Sequence, residues 1–210
     1  MKIHIADSSN ADKLEKFTNA YSAEVAKAYA DARPLLSFGS EHLNFFVQPS
    51  ESVIAETGVN GQTINSEFIV LKFDENLELD EEVILGNVRS MVFHEMNHAA
   101  RFNLSIWHKT PLDMCLFEGL ATVFEREHAG SQPLWGRYDK TVISEWINEI
   151  KDLEDGILSN DYRFEHPDGR RWISYKVGAY IIDEAMSKSG KSVVELTQMQ
   201  CKDILDLAGV

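Results

Sequence analysis

The sequence predicts an α+β fold: a small N-terminal β-sheet with one long helix, followed by a mainly helical part. Three observations carry that expectation. Runs that alternate with a period of two lie within residues 1–78, whereas apolar residues from 79 onward recur at three and four. Of the 210 residues, 44% are hydrophobic and 26% charged, which is globular rather than disordered composition. A chain of this length buries one sizeable core, so it reads as a single domain over 1–210, strand-rich over 1–78 and helical over 79–210.

Residues 2–6 alternate and give a short strand. Asp7-Ser8-Ser9-Asn10 is a run of turn and N-cap residues. Beyond it Leu14, Phe17, Tyr21, Val25 and Tyr29 form one apolar stripe of a long helix, which ends before Pro34 because the residue ahead of a proline resists the α region. Leu43 to Val47 reads as a strand closed by Gln48-Pro49-Ser50, and Gly58-Val59-Asn60-Gly61 as a turn or loop. Phe68 to Phe73 is a further strand, with Phe68, Val70 and Lys72 alternating against Ile69, Leu71 and Phe73. Helices are expected over Val83 to Phe102, from Pro111 to about His128, over Lys140 to Leu153, Ile173 to Met186 and Ser192 to Leu207, the last with a break near Gln200. Leu158 to Arg171 reads as an irregular loop.

The chain carries 20 Lys+Arg against 34 Asp+Glu, a net charge of −14. Nucleic acid and anionic membrane surfaces are therefore expected to be repelled, since both need basic side chains. The 2 cysteines, Cys115 and Cys201, do not make a disulfide framework. The N-terminal residues hold no apolar stretch of signal-peptide length, and no run of about 18 apolar residues occurs. The expectation is a soluble cytoplasmic protein.

The informative segment is Val92-Phe93-His94-Glu95-Met96-Asn97-His98-Ala99-Ala100. His94 and His98 are four apart on a predicted helix, so both imidazoles leave one face. Two nitrogen ligands need that arrangement to share a zinc ion at about 2.0–2.1 Å. Glu95 sits about 100° round the helix and can approach a zinc-bound water without ligating the metal. Met91, Val92, Phe93 and Met96 are expected in the core, with Asn97 on a wetter side. A hydrolytic zinc site needs a third protein ligand and an open position. A third histidine in the extended pattern would fall on Leu104, so that branch fails. Glu118 follows His98 with 19 residues between, in Leu116-Phe117-Glu118-Gly119-Leu120-Ala121-Thr122. A helix–loop–helix return of that length brings a second helix against the first; Pro111 opens it, and Gly119 and Ala121 allow close backbone approach.

His94-Glu-Met-Asn-His98 followed by Glu118-Gly-Leu-Ala-Thr resembles the gluzincin clan of zinc metallopeptidases. More closely, the chain is similar to small bacterial proteins described as predicted zinc-dependent proteases of otherwise unknown function. The similarity includes Gly58-Val-Asn-Gly61 ahead of Phe68–Phe73, and Ser174-Tyr175-Lys-Val-Gly178-Ala-Tyr180, close to a Gly-Tyr-x-x-Gly pattern from which Ser174 departs. The resemblance implies one Zn²⁺ held by His94, His98 and Glu118, with Glu95 as general base and a peptide or protein as substrate. Zinc would lower the pKa of its bound water and polarise the scissile carbonyl, and Glu95 would carry the proton to the leaving amine.

An oxyanion donor is also required. Tyr175 is the first candidate, against a core tyrosine on an amphipathic helix; Tyr180 and His166 are the others. Thr122 and Glu125 share a helical face with Glu118 and could orient an imidazole, although Glu125 also reads as an exposed acid. His108 and His128 read as surface residues and Cys115 as a small buried one. The strand Phe68–Phe73 is the expected cleft edge, open to an extended peptide. Two other classes compete: a catalytically silent zinc-binding regulatory or interaction module on the same fold, and a helical interaction protein with a fortuitous motif. The first has no need of Glu95; the second binds no stoichiometric metal.

Overall fold

The computed structural model describes residues 1–6, 11–38, 42–74, 76, 80–153 and 158–210. Its elements run β1 (Lys2–Ile5), α1 (Ala11–Ala32), β2 (Asn44–Pro49), β3 (Val59–Asn65), β4 (Phe68–Phe73), α2 (Glu81–Asn103), α3 (Pro111–Ala129), α4 (Ile143–Lys151), α5 (Asn160–Arg163), α6 (Ile173–Ser189), α7 (Val193–Thr197) and α8 (Cys201–Ala208). The fold is α+β, with its strands in the N-terminal part and helices thereafter. Internal contacts divide the described residues into two units, Met1–Leu104 with His128–Ser131, and Ser105–Glu127 with Gln132–Val210. The predicted turn at Asp7 to Asn10 lies outside the described residues, and so do the side chains of Leu14 and Phe17.

In the first unit the strands form one sheet in the order β1-β2-β4-β3. β1 and β4 both lie parallel to β2, and β3 is antiparallel to β4. A parallel pair needs a long crossover, which α1 supplies between β1 and β2. Phe45 and Val47 on β2 pair with Ile69 and Leu71 on β4, so these four share a face, and all are buried. α1 lays Tyr21, Val25, Ala28 and Ala32 against that core at helical spacing. The Tyr21 ring lies 5.0 Å from Phe73. Asp80 caps α2, its carboxylate accepting from the Glu82 amide at 3.0 Å. Further along α2, Arg89 ties back to Asp31 of α1 at 2.8 Å.

Two segments differ from their sequence-based expectation. Gly58-Val59-Asn60-Gly61 is not a turn or loop throughout: only Gly58 takes the left-handed conformation, at φ 70°, and the chain is already extended from Val59. In addition, the strand Phe68–Phe73 is not an edge. It is β4, bonded to β2 on one side and β3 on the other, and β3 is the edge on that side.

In the second unit α3 opens on a reciprocal cap. Asp113 accepts from the amides of Lys109 and Thr110 at 2.9 and 3.1 Å, while the Thr110 hydroxyl accepts from the Asp113 amide at 3.1 Å. With Pro111 in the first turn, where its missing N–H costs nothing, this fixes the start of the helix. α3 and α6 run in the same direction and touch backbone to backbone. Gly119 lies against Gly178, and Gly178 against the Cys115 carbonyl, so neither glycine has room for a Cβ. The close approach expected at Gly119 is thus made to α6. Two turns on, Arg126 grips Asp183 through two hydrogen bonds of 3.0 and 2.6 Å, and the Tyr138 hydroxyl donates to the same carboxylate at 2.7 Å.

Gly178→Ala should therefore lower stability by about 1–3 kcal/mol or more, since the backbone opposite cannot turn aside. Gly86→Ala on α2, where nothing lies within 4 Å, is the control. It should be stabilising by about 0.5–1 kcal/mol from helix propensity. Urea unfolding midpoints of the two variants check both signs.

Leu158 to Arg171 is more ordered than predicted. It contains the short helix α5 and a tight hairpin in which the amides of His166 and Trp172 donate to the carbonyls of Arg170 and Phe164 at 2.8 and 2.9 Å. Arg170 binds Glu149 at 2.6 and 2.9 Å and Asp168 at 2.7 Å, closing the loop onto α4. The hairpin delivers Trp172 at φ 62°, an unfavourable conformation for a bulky residue. Contacts with Trp135, Phe164 and Tyr175, with ring centroids 5.6–5.9 Å apart, hold it there. Trp172 is the residue from which α6 starts.

Candidate metal centre and active site

In the first unit the predicted motif lies on α2. Met91 to Ala100 is buried without interruption, so the helix has no wet face over this stretch. Asn97, expected on a wetter side, is 0% exposed. His94 and His98 are 4% and 5% exposed, and their ring centroids lie 4.8 Å apart. The one-turn spacing thus puts both imidazoles side by side. Burying two imidazoles and a carboxylate within five residues is costly unless each finds a partner or a ligand.

Glu95 is buried against β3. Val59, Gly61 and Thr63 alternate along that strand and face α2. A Cβ on Gly61 would lie 2.5 Å from Cγ and 2.6 Å from Oε1 of Glu95, so the carboxylate side chain occupies the space that glycine leaves. Two residues on, the Thr63 hydroxyl lies 2.7 Å from Glu95 Oε2 and 2.8 Å from the Glu95 carbonyl oxygen.

In the second unit Glu118 is 4% exposed on α3, and Arg163 from α5 donates to its Oε1 at 3.0 Å. Burial works against the Arg163 charge, but Glu118 and Tyr175 outweigh it and hold the guanidinium pKa above its ordinary value. The same guanidinium hydrogen-bonds Tyr175, half-buried on α6. A guanidinium only donates, so the phenol oxygen accepts and its own proton is directed elsewhere. Of the three predicted oxyanion candidates, Tyr175 is thus the one joined to Glu118 through a shared arginine. Tyr180 packs its ring on Tyr138 at 5.4 Å, and His166 Nδ1 is held 2.9 Å from Asp168 within the hairpin.

Glu125 is fully buried rather than exposed, accepting from Trp135 Nε1 at 2.8 Å, and Thr122 is buried beside Gly136. The His108 ring lies tilted against Phe117, with centroids 5.5 Å apart. Cys115 is completely buried, and desolvation, with the nearby Glu118 charge, pushes its thiol pKa far up. Thiol reagents at neutral pH should therefore leave Cys115 unmodified in the folded protein and modify it in urea, as intact-mass measurement will show. Cys115 accordingly has the character of a core residue.

The chain matches the family described as predicted Zn-dependent protease over residues 10–206. It belongs to that family. No curated protein and no solved structure matches it. For a predicted Zn-dependent protease, a buried His-Glu-x-x-His helix is the expected centrepiece. Gly61 and Thr63, which meet Glu95, and Arg163, which meets Glu118, were not singled out from sequence as site residues. Gly61 stood inside an apparent turn, and Thr63 and Arg163 carry no local signature. Among the described residues no helix is long and apolar enough to cross a membrane.

Proposed function

We propose that this protein is a zinc-dependent metallopeptidase, with His94, His98 and Glu118 as ligands of one zinc ion and Glu95 as general base. The reading is carried by the burial of that acid–histidine set: His94, Glu95, His98 and Glu118 are each 4–5% exposed. In this reading His94, His98 and Glu118 each offer one donor atom to the ion. Two imidazoles and one carboxylate are a common hydrolytic zinc set, leaving one position open. When bound, zinc supplies Lewis acidity at the scissile carbonyl and makes water acidic enough to be deprotonated near neutral pH.

The remaining work falls to the chain. Glu95 accepts a proton from the attacking water as its oxygen bonds to the carbonyl carbon. It then returns that proton to the amine nitrogen as the C–N bond breaks. Tyr175 donates its phenolic hydrogen to the carbonyl oxygen as negative charge grows there, and Arg163, bonded to the phenol oxygen, orients it. β3 is an edge strand of its sheet, and its Thr63 contacts Glu95, so an extended peptide adding to β3 would lie beside the base. The protein is proposed to act on peptides or proteins in the cytoplasm.

The test is hydrolysis of a mixed peptide library by zinc-loaded protein, read by mass spectrometry. New termini at internal amide bonds, lost with a chelator and regained with zinc, are expected. Zinc uptake without cleavage of any peptide would instead point to the silent binding module.

A further inference from the structure

Resting on the peptidase reading, we infer that Thr63 is the positioning residue for the Glu95 carboxylate, and that Gly61 is glycine to make room for it. The general base stands on α2, yet what fixes its side chain belongs to β3, 32 positions earlier in the chain. Thr63 Oγ1 meets Glu95 twice, at Oε2 (2.7 Å) and at the main-chain oxygen (2.8 Å). A hydroxyl has one hydrogen to give and two lone pairs to receive with. Both of these oxygens only accept, so the one hydrogen serves one of them, and the carboxylate, being charged, is the stronger acceptor.

Gly61 shapes the same site from the other side. Its missing Cβ would stand 2.5–2.8 Å from Glu95 Cγ, Cδ and Oε1, so any larger residue must push the carboxylate off its place. Gly61 itself is anchored, its amide donating to Asn60 Oδ1 at 2.9 Å, while Asn60 Nδ2 donates to the Ser52 carbonyl at 3.3 Å. β3 thus does two things at once. Its open edge is where an extended peptide would pair, and its inner face sets the base. One strand then references both the scissile bond and the group that delivers the proton, and proton transfer is sensitive to errors of a fraction of an ångström.

The experiment compares zinc-loaded wild type with Thr63→Val, which keeps the shape and removes the hydroxyl, and with Thr63→Ser, which restores the hydroxyl alone. Gly61→Ala is the steric counterpart. Two readouts are taken at one fixed pH: steady-state kinetics on a cleaved library peptide, and the ¹³Cδ resonance of Glu95, assigned by its loss in Glu95→Gln. Thr63→Val should lower kcat by roughly 10- to 100-fold with KM and zinc content unchanged, and should shift the Glu95 resonance. Thr63→Ser should return both towards wild type. Gly61→Ala should shift the resonance and lower kcat without losing zinc.

The inference is overturned if Thr63→Val keeps the wild-type kcat and Glu95 resonance, or if Thr63→Ser is as impaired as Thr63→Val, which would make the methyl group the functional part. Should the wild type cleave nothing while Thr63→Val still shifts the resonance and Thr63→Ser restores it, the peptidase reading falls and the positioning of Glu95 stands. Unfolding midpoints of the variants separate a local shift from general loosening.

Discussion

Glu95→Gln should abolish peptide hydrolysis, by at least about 10²- to 10⁴-fold in kcat, while the protein keeps its zinc and its stability. The substitution preserves the volume of a side chain that is 4% exposed and fills the space beside Gly61. The amide can still meet the Thr63 hydroxyl, which gives or takes a hydrogen bond at 2.7 Å from the same position. What it cannot do is accept a proton from water. Single-turnover kinetics on a cleaved library peptide, with metal content measured on the same samples, provides the check. Activity near wild type in Glu95→Gln would remove Glu95 from the mechanism.

Glu118→Ala should have the other large effect, on the metal. Loss of a direct ligand is expected to weaken zinc affinity by more than the roughly 10- to 100-fold that follows loss of an outer partner. It also strips Arg163 of its carboxylate. Arg163 is a third exposed and screened by water, so the cost in folding stability should be small beside the cost in affinity. Glu118→Gln separates the two contributions, since it keeps the shape and an oxygen that can accept from Arg163 but removes the charge. Chelator competition should rank the affinities as wild type above Gln above Ala. An unchanged zinc affinity in Glu118→Ala would show that the third ligand is another residue.

Much of this was legible in the sequence because its signals are local. The alternation of Phe68 to Phe73, the apolar spacing around Tyr21 and Val25, and the proline that opens α3 each report on neighbours a few residues away. The histidine pair is of the same kind: a spacing of four on a helix is a spatial statement. β3 escaped because Asn60, Gly61, Gln62 and Asn65 interrupt its β-branched Val59, Thr63 and Ile64 and leave no apolar alternation. It is a strand through its pairing with β4 and its packing on α2, a tertiary effect.

Gly61 looked like punctuation, yet its role is steric and belongs to Glu95. Thr63 and Arg163 act over 32 and 45 positions, beyond any spacing argument. Asn97 was assigned a wet face because amphipathic reasoning assumes that a helix has one, whereas Met91 to Ala100 is buried all round.

The peptidase reading requires first that the chain hold zinc. Elemental analysis of wild-type protein, dialysed against metal-free buffer after loading, measures that directly. About one zinc per chain is expected, falling towards none when both His94 and His98 are replaced by alanine. Wild-type protein that retains no zinc, or retains as much once those histidines are gone, would contradict it.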